Sequence, residues 1–430
     1  MKTILAAFAF VAVAAIAVPA GAQQVRKDDD AGVRTNIDFD VVQGLLAVQR
    51  LDGWLLYDFQ GQNPIAAELV NPKGLQTRRW FYYIPAKGQP VALIHKVEAS
   101  NFERVPGNKV EYAGWRELDR GLADMLKGSK VIAMEYSEKG AIPALSRVDA
   151  GTLERVRGTG VKVVSSAELV QFTKSNWGPA GRASHYVAVH HLTAVRDEAL
   201  AFIVKRVRAG ADVTEYDVQQ NILEGYKTRG LTGEAPIVAV NANAADPHYL
   251  PTKKGAAPIR EGDLVLLDMW ARQADDARAI YADMTWMAYV GTEVPNRYER
   301  AFDAVATARD EAVVFIKDRV TRRRPVRGFE ADQRAREVMG KAGYGDKFIH
   351  RTGHSIDTSV HGAGANLDDY ETHDTRNLVR GSGFSVEPGV YIKGDFGVRS
   401  EIDVYIGKKG VEITTPVQDE ITPILRDKAD

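Results

Sequence analysis

The apolar run Leu264-Val265-Leu266-Leu267-Asp268-Met269-Trp270 reads as a buried strand, except for the carboxylate at its centre. Burying an unpaired carboxylate is costly, so a buried one is normally paired, protonated or bound to a metal. The next apolar stretch, Ile280-Tyr281-Ala282-Asp283-Met284-Thr285-Trp286-Met287, repeats the anomaly at Asp283. If 264–270 and 280–290 form a hairpin, positions 268 and 283 are symmetric about Asp275-Asp276, within the polar stretch from Gln273 to Arg278. The two carboxylates are then expected directly across from each other. Glu387 and Glu401 show the same arrangement about Gly394, in the turn-like Lys393-Gly394-Asp395-Phe396-Gly397. Like charges facing across a ladder destabilise it. Two such pairs call for cations, and two divalent ions balance four carboxylates.

His354 adds a nitrogen ligand, in His350-Arg351-Thr352-Gly353-His354-Ser355-Ile356-Asp357. Asp268, Asp283, His354, Glu387 and Glu401, in that order, resemble the ligand set of the M24 pita-bread metallopeptidases. That family includes methionine aminopeptidase, aminopeptidase P, prolidase and creatinase. The stretches that carry the resemblance are Leu267-Asp268-Met269-Trp270, Tyr281-Ala282-Asp283, Thr352 to Asp357, Val386-Glu387-Pro388-Gly389 and Val398-Arg399-Ser400-Glu401-Ile402-Asp403. It spans about residues 180–425.

The resemblance implies an α+β fold: a C-terminal pita-bread domain, its curved sheet backed by helices, with a smaller N-terminal α/β creatinase-like domain. It implies two divalent ions, manganese first, with cobalt, zinc or iron as alternatives for carboxylate and imidazole ligands. Such a pair lowers the pKa of a shared water enough to attack a scissile carbonyl. His248, in Asp246-Pro247-His248-Tyr249, and His361, in Val360-His361-Gly362, match family histidines that flank the metals and touch substrate. Glu387 is implied as the proton carrier as well as a ligand, and Arg399 as the residue that orients a ligand carboxylate. Many dipeptidases of the family place an Arg for the substrate carboxylate about fourteen residues before the first Glu ligand. Here that position is His373, and Arg376 is the nearby alternative.

The remaining text is consistent with that plan. Met1-Lys2-Thr3, an apolar run to Val18 and Pro19-Ala20-Gly21-Ala22 read as a signal peptide over 1–22, cleaved after Ala22. With no cysteine in the chain, this points to the periplasm or the extracellular space, without stable membrane insertion. Residues 23–34 are a polar lead-in. Short strands at 53–57, 79–84, 91–94 and 131–134 belong to an N-terminal α/β domain over 35–174, and 175–181 is expected as a linker. The C-terminal domain, 182–425, opens with helices near 182–209 and 214–229, the second with a capping box from Thr214 to Asp217. Further helices are expected near 296–320 and 328–343. Lys+Arg (56) and Asp+Glu (57) nearly cancel and are interspersed, which argues against nucleic acid as a partner.

The two-domain plan resembles the proline-directed branch of the family. The expectation is a secreted homodimer that cleaves small Xaa-Pro peptides, as dipeptidase or aminopeptidase. Two alternatives stand beside it. A family member turned to non-peptide chemistry could be an organophosphate hydrolase or a dimethylsulfoniopropionate lyase. A lyase of that kind favours an Asp where this chain has Trp270. An inactive pita-bread binding module would have lost ligands.

Overall fold

The computed structural model describes residues 35–426, so the expected signal peptide (1–22) and lead-in (23–34) lie outside the described residues. Six strands form the N-terminal sheet: β1 (Gly53–Asp58), β2 (Trp80–Pro85), β3 (Val91–His95), β4 (Asn108–Tyr112), β5 (Val131–Met134) and β6 (Lys162–Ser165), in the order β4-β3-β2-β1-β5-β6. β1 is central and buried along its whole length. Trp54 and Leu56 enter one apolar cluster, Leu55 and Tyr57 another. A strand covered on both faces reads as a continuous apolar run rather than an alternating one, as Gly53 to Tyr57 does.

Eleven strands follow. β7 (Leu231–Thr232) and β8 (Ile237–Val240) both pair with β9 (Leu264–Gln273), which pairs with β10 (Ala282–Tyr289). β11 (Ser355–Ile356), β12 (Gly383–Val386), β13 (Gly389–Ile392), β14 (Phe396–Arg399), β15 (Ile402–Gly407) and β16 (Gly410–Ile413) carry the later motifs. The short β17 (Thr422–Pro423) lies along β10. Val265, Leu267, Met269 and Ala271 share a cluster with the helices Gly178–Arg208 and Glu215–Thr228. Leu264 and Leu266 share another with Asn296–Thr321 and Gly328–Lys341. The two-residue period of a strand therefore puts Asp268 on the second face, away from the first pair of helices.

The helix ends follow local chemistry. Thr214 and Asp217 close the capping box in both directions, at 3.2 and 2.9 Å. The helix expected from 182 starts four residues earlier at Gly178, because Pro179 suits a first helical turn. The stretch expected as a linker is packed. Ser175 and Trp177 are buried, and Trp177 donates its indole N–H to Ile356 O at 2.6 Å while stacking on Tyr405.

Candidate metal centre

The β9–β10 register corrects one expectation. Asp268 stands opposite Thr285, and Asp283 opposite Trp270, so the two acids are diagonal neighbours on one face rather than a directly facing pair. The cause lies at 279–281. Ile280 is pulled away to pack with Trp177 and Ile356, its N–H bonded to Ser184 Oγ at 3.0 Å, and Tyr281 N–H bonds Asp357 O. The second arm thus uses two extra residues before pairing begins. A two-residue shift keeps both acids on the same face. For the second pair the expected symmetry is present. Val386 pairs with Ile402 and Gly389 with Arg399, so Glu387 and Glu401 occupy the interruption between two ladders of common register.

His354 is placed by the segment before β11. Glu387 N–H bonds Thr352 O at 2.7 Å, Ser385 N–H bonds His354 O at 2.8 Å, and His354 N–H bonds Ser385 Oγ at 3.0 Å. Gly353 permits this approach, since a Cβ there would lie 2.0 Å from Ser385 O. His354 Nε2 then stands 3.2 Å from Glu387 Oε1 and 3.6 Å from Asp283 Oδ2. One ligand atom each from Asp283, His354 and Glu401 lie within 4.8 Å of one another, all buried. Asp268 completes the group through Arg399, whose Nη2 bonds its Oδ2. Arg399 also donates Nε to Thr285 Oγ1 at 2.9 Å and Nη1 to Tyr391 Oη at 3.0 Å, and Thr285 donates onward to Glu401 Oε2 at 2.8 Å.

The electrostatics are those of a nest of acids that Arg399 compensates only in part. Burial first, and then Asp268, Asp403 and Glu387, pushes Asp283 well above the usual carboxylate range. Burial, then Asp283, Glu387 and Asp268, does the same to Glu401. Asp268 is also raised by burial, though Arg399 opposes the rise. Burial lowers His354 to about 3, keeping it neutral and able to ligate. Asp283 Oδ1 is buried without a hydrogen-bond donor. An orphaned buried carboxylate oxygen among acids, beside a neutral imidazole, fits divalent cations and not a purely structural network.

The flanking residues are placed as follows. His361 stands edge-on to His354 with ring centroids 4.4 Å apart. His354 first, then burial, Arg351 and also His248 push His361 down to about 3, so the exposed His248 loop lies within electrostatic reach. His373 is exposed, bonds Asp369 and lies against Phe329. Arg376 is buried and spent in a bidentate pair with Asp374, with Nη1 on Ala363 O at 2.8 Å.

Four further residues belong to the site. Asp403 Oδ2 accepts Asp283 N–H at 2.8 Å, while its Oδ1 is buried and unbonded. His185, pushed down to about 4 by burial, bonds Tyr281 O and Thr414 Oγ1 and lies 3.9 Å from Asp403. Thr285 links Glu401 to Arg399, and buried Arg309 holds Ser400 Oγ at 2.6 Å beside Glu401. Asp403 was open to the rule that exposed Asp268, since Ile402-Asp403-Val404-Tyr405-Ile406 is an acid in an apolar run. Thr285 follows from the period of β10. His185 and Arg309 give no local signal.

The metallopeptidase family M24 model matches residues 188–408, half of the chain and all five cage positions. The Xaa-Pro dipeptidase of Lactobacillus helveticus is 31% identical over 230 residues, 52% of this chain and 55% of that protein. An uncharacterised peptidase of Staphylococcus saprophyticus is 30% identical over 205 residues, 47% of this chain and 53% of its own. The chain thus spans about half the length of the curated relatives it matches. Among solved structures, dipeptidase PepE from Mycobacterium ulcerans superposes with a TM-score of 0.69 at 21% identity, covering 90% of this chain and 96% of that one. Prolidase from Thermococcus sibiricus gives 0.64 at 20%, covering 90% and 99%. X-Pro aminopeptidase from Thermotoga maritima gives 0.63 at 21%, with the same coverage. These structures share the expected α+β pita-bread fold. Ligand types in order, a buried acid nest around His354, fold and family model agree, and this chain belongs to metallopeptidase family M24.

Proposed function

We propose that the chain is a two-metal exopeptidase that hydrolyses bonds next to proline, with Asp268, Asp283, His354, Glu387 and Glu401 holding the ions. The observation that carries this is the buried cluster of Asp283, His354 and Glu401, with Asp283 Oδ1 lacking a donor among the described residues. Divalent ions bound there would balance the acids and acidify a water into a nucleophile near neutral pH. The chain's own groups do the rest. Glu387, backed by Ser385 Oγ at 3.0 Å, takes the proton of the attacking water and delivers it to the leaving nitrogen. His361, kept neutral, offers a ring N–H to the developing oxyanion, with His248 on the facing loop as its partner. Arg399 fixes Asp268 by charge-assisted hydrogen bonding.

Proline enters through chemistry and relatives. An Xaa-Pro bond is a tertiary amide without N–H, which asks for a dedicated site. Relatives and structural neighbours named for Xaa-Pro dipeptidase, prolidase and X-Pro aminopeptidase activity support that reading. The test is hydrolysis of Ala-Pro and Ala-Pro-Ala by manganese-loaded protein, with an EDTA-treated control. Metal-dependent cleavage of the dipeptide alone makes this a dipeptidase. Cleavage of the tripeptide makes it an aminopeptidase. No cleavage of either, with metal bound, overturns the proposal in favour of a non-peptide substrate.

A further inference from the structure

We infer that Lys174 and Asp357 are positioning residues for His361: they hold the turn that aims its imidazole. The turn runs from 357 to 363, just beyond His354, and the Asp357 carboxylate is its hub. Asp357 is fully buried. Its Oδ1 accepts Ser359 N–H at 2.9 Å and Lys174 Nζ at 2.7 Å. Its Oδ2 accepts Ala363 N–H at 2.9 Å and the Ser175 hydroxyl at 3.0 Å. Gly362 passes so close that a Cβ there would lie 2.8 Å from Oδ2.

Lys174 reaches this hub from the N-terminal side, directly after the helix Ala167–Thr173. Its side chain is 5% exposed. It also contacts Thr358 Oγ1 at 2.6 Å and Glu68 Oε2 at 3.1 Å, and Thr358 donates to Glu68 Oε1 at 2.8 Å. Residues 357, 358, 359 and 363 are therefore tied down. His361, between them, makes no hydrogen bond of its own among the described residues, and its ring stands edge-on to His354. A side chain without its own anchor takes its aim from its backbone. A displacement of about 1 Å in such a group can cost about 100-fold in rate. Lys174 and Asp357 thus act on the reaction without touching substrate.

This rests on the proposed role of His361, and the test separates the two. Turnover of whichever Xaa-Pro peptide is cleaved is measured on the full manganese-loaded chain. Lys174→Met should lower kcat about 10-fold to 100-fold with bound manganese unchanged, and KM within about two-fold. The deciding measurement is the double variant Lys174→Met/His361→Ala. It should be no slower than His361→Ala alone, within about two-fold, because no imidazole remains to be misplaced. If the two losses multiply, Lys174 is merely structural and the inference is overturned. If Lys174→Met does not fold, Thr358→Val severs only the hydroxyl link and should show a smaller kcat loss with the same non-additivity. A wild-type rate in His361→Ala removes the group to be positioned, while leaving Xaa-Pro cleavage standing. No cleavage by the wild-type chain overturns the peptidase reading itself.

Discussion

Glu215, which opens the helix Glu215–Thr228, and Asp283 on β10 are both buried acids, 0% and 3% exposed. Glu215 collects Val240 N–H at 2.8 Å, Asn243 Nδ2 at 2.9 Å, Tyr249 Oη at 2.6 Å and Ala257 N–H at 2.8 Å. Asp332, fully buried, similarly collects the N–H and hydroxyl of Thr352, Asp369 N–H and Arg336 Nε. Asp283 has a buried oxygen with no donor, and Asp268, Glu387, Glu401 and Asp403 as electrostatic neighbours. Burial is therefore shared by Glu215, Asp332 and Asp283, and the supply of donors separates Asp283 from the other two. Glu215 spreads its charge over the 240–257 loop that carries His248, and so builds structure. The acids around Asp283 raise one another's proton affinity, and Arg399 offsets that only in part.

Neutralising each acid in turn separates these roles. Asp283→Asn should lower bound metal and cut turnover by about 1000-fold or more, roughly 4 kcal/mol of barrier. The metal-free variant should melt no lower than wild type, because an amide has no ionised form for burial and the neighbouring acids to disfavour. Metal analysis, kinetics and thermal melts check this, and full activity in Asp283→Asn would break the cage. Glu215→Ala should do the reverse. Several buried donors lose their acceptor, at ~1–3 kcal/mol each before relaxation, so a net loss of about 3 kcal/mol is expected in urea unfolding, with metal still bound by the folded fraction. A Glu215→Ala chain as stable as wild type would erase the distinction.

The flanking residues extend the contrast at smaller scale. His361→Ala should leave metal bound and slow turnover about 100-fold, or about 2.7 kcal/mol. His373→Ala should change turnover by less than about two-fold, since surface pairs such as His373–Asp369 contribute little. Equal effects of the two substitutions would return His361 to an ordinary loop histidine.

What the sequence discloses here follows from range. The apolar runs around Asp268 and Asp283 announce both the strands and the anomaly within ten residues, and the Thr214–Asp217 box announces its helix. The pairing of Glu387 with Glu401 was legible because the intervening turn is short and symmetric. Asp268 and Asp283 were misaligned by two because Ile280 answers to Trp177, about a hundred residues away. The Lys174–Asp357 hub and the contact of Arg309 with Ser400 join still more distant residues, and no local pattern marks them. The spacing that nominated His373 and Arg376 is likewise blind to Asp369 and Asp374, the neighbours that hold them in the fold.

The smallest expected effect is a pH slope in the metal-free chain. Burial, then the facing acids, raises Asp283 and Glu401, and burial raises Asp403. A raised carboxyl keeps its proton in the folded state when the unfolded chain has lost it. Its stabilising contribution is complete below the unfolded value and disappears as pH rises through the folded one. His354 and His185, lowered by burial to about 3 and about 4, have the opposite sign. They are neutral when folded and protonated when unfolded below 6.5, so their contribution grows with pH and is complete just above that value. Above about pH 7 the contributions of His354 and His185 are complete, while those of the raised acids fall as pH climbs through their folded values. The EDTA-treated chain should therefore lose stability as pH rises above about 7, on the order of a degree or two in Tm. Manganese-loaded protein should not, because the cations displace the same protons and bind better as pH rises. A flat or rising Tm in the stripped chain would mean that the cage acids find their partners inside the protein, as Glu215 does, and that the cage has no need of metal.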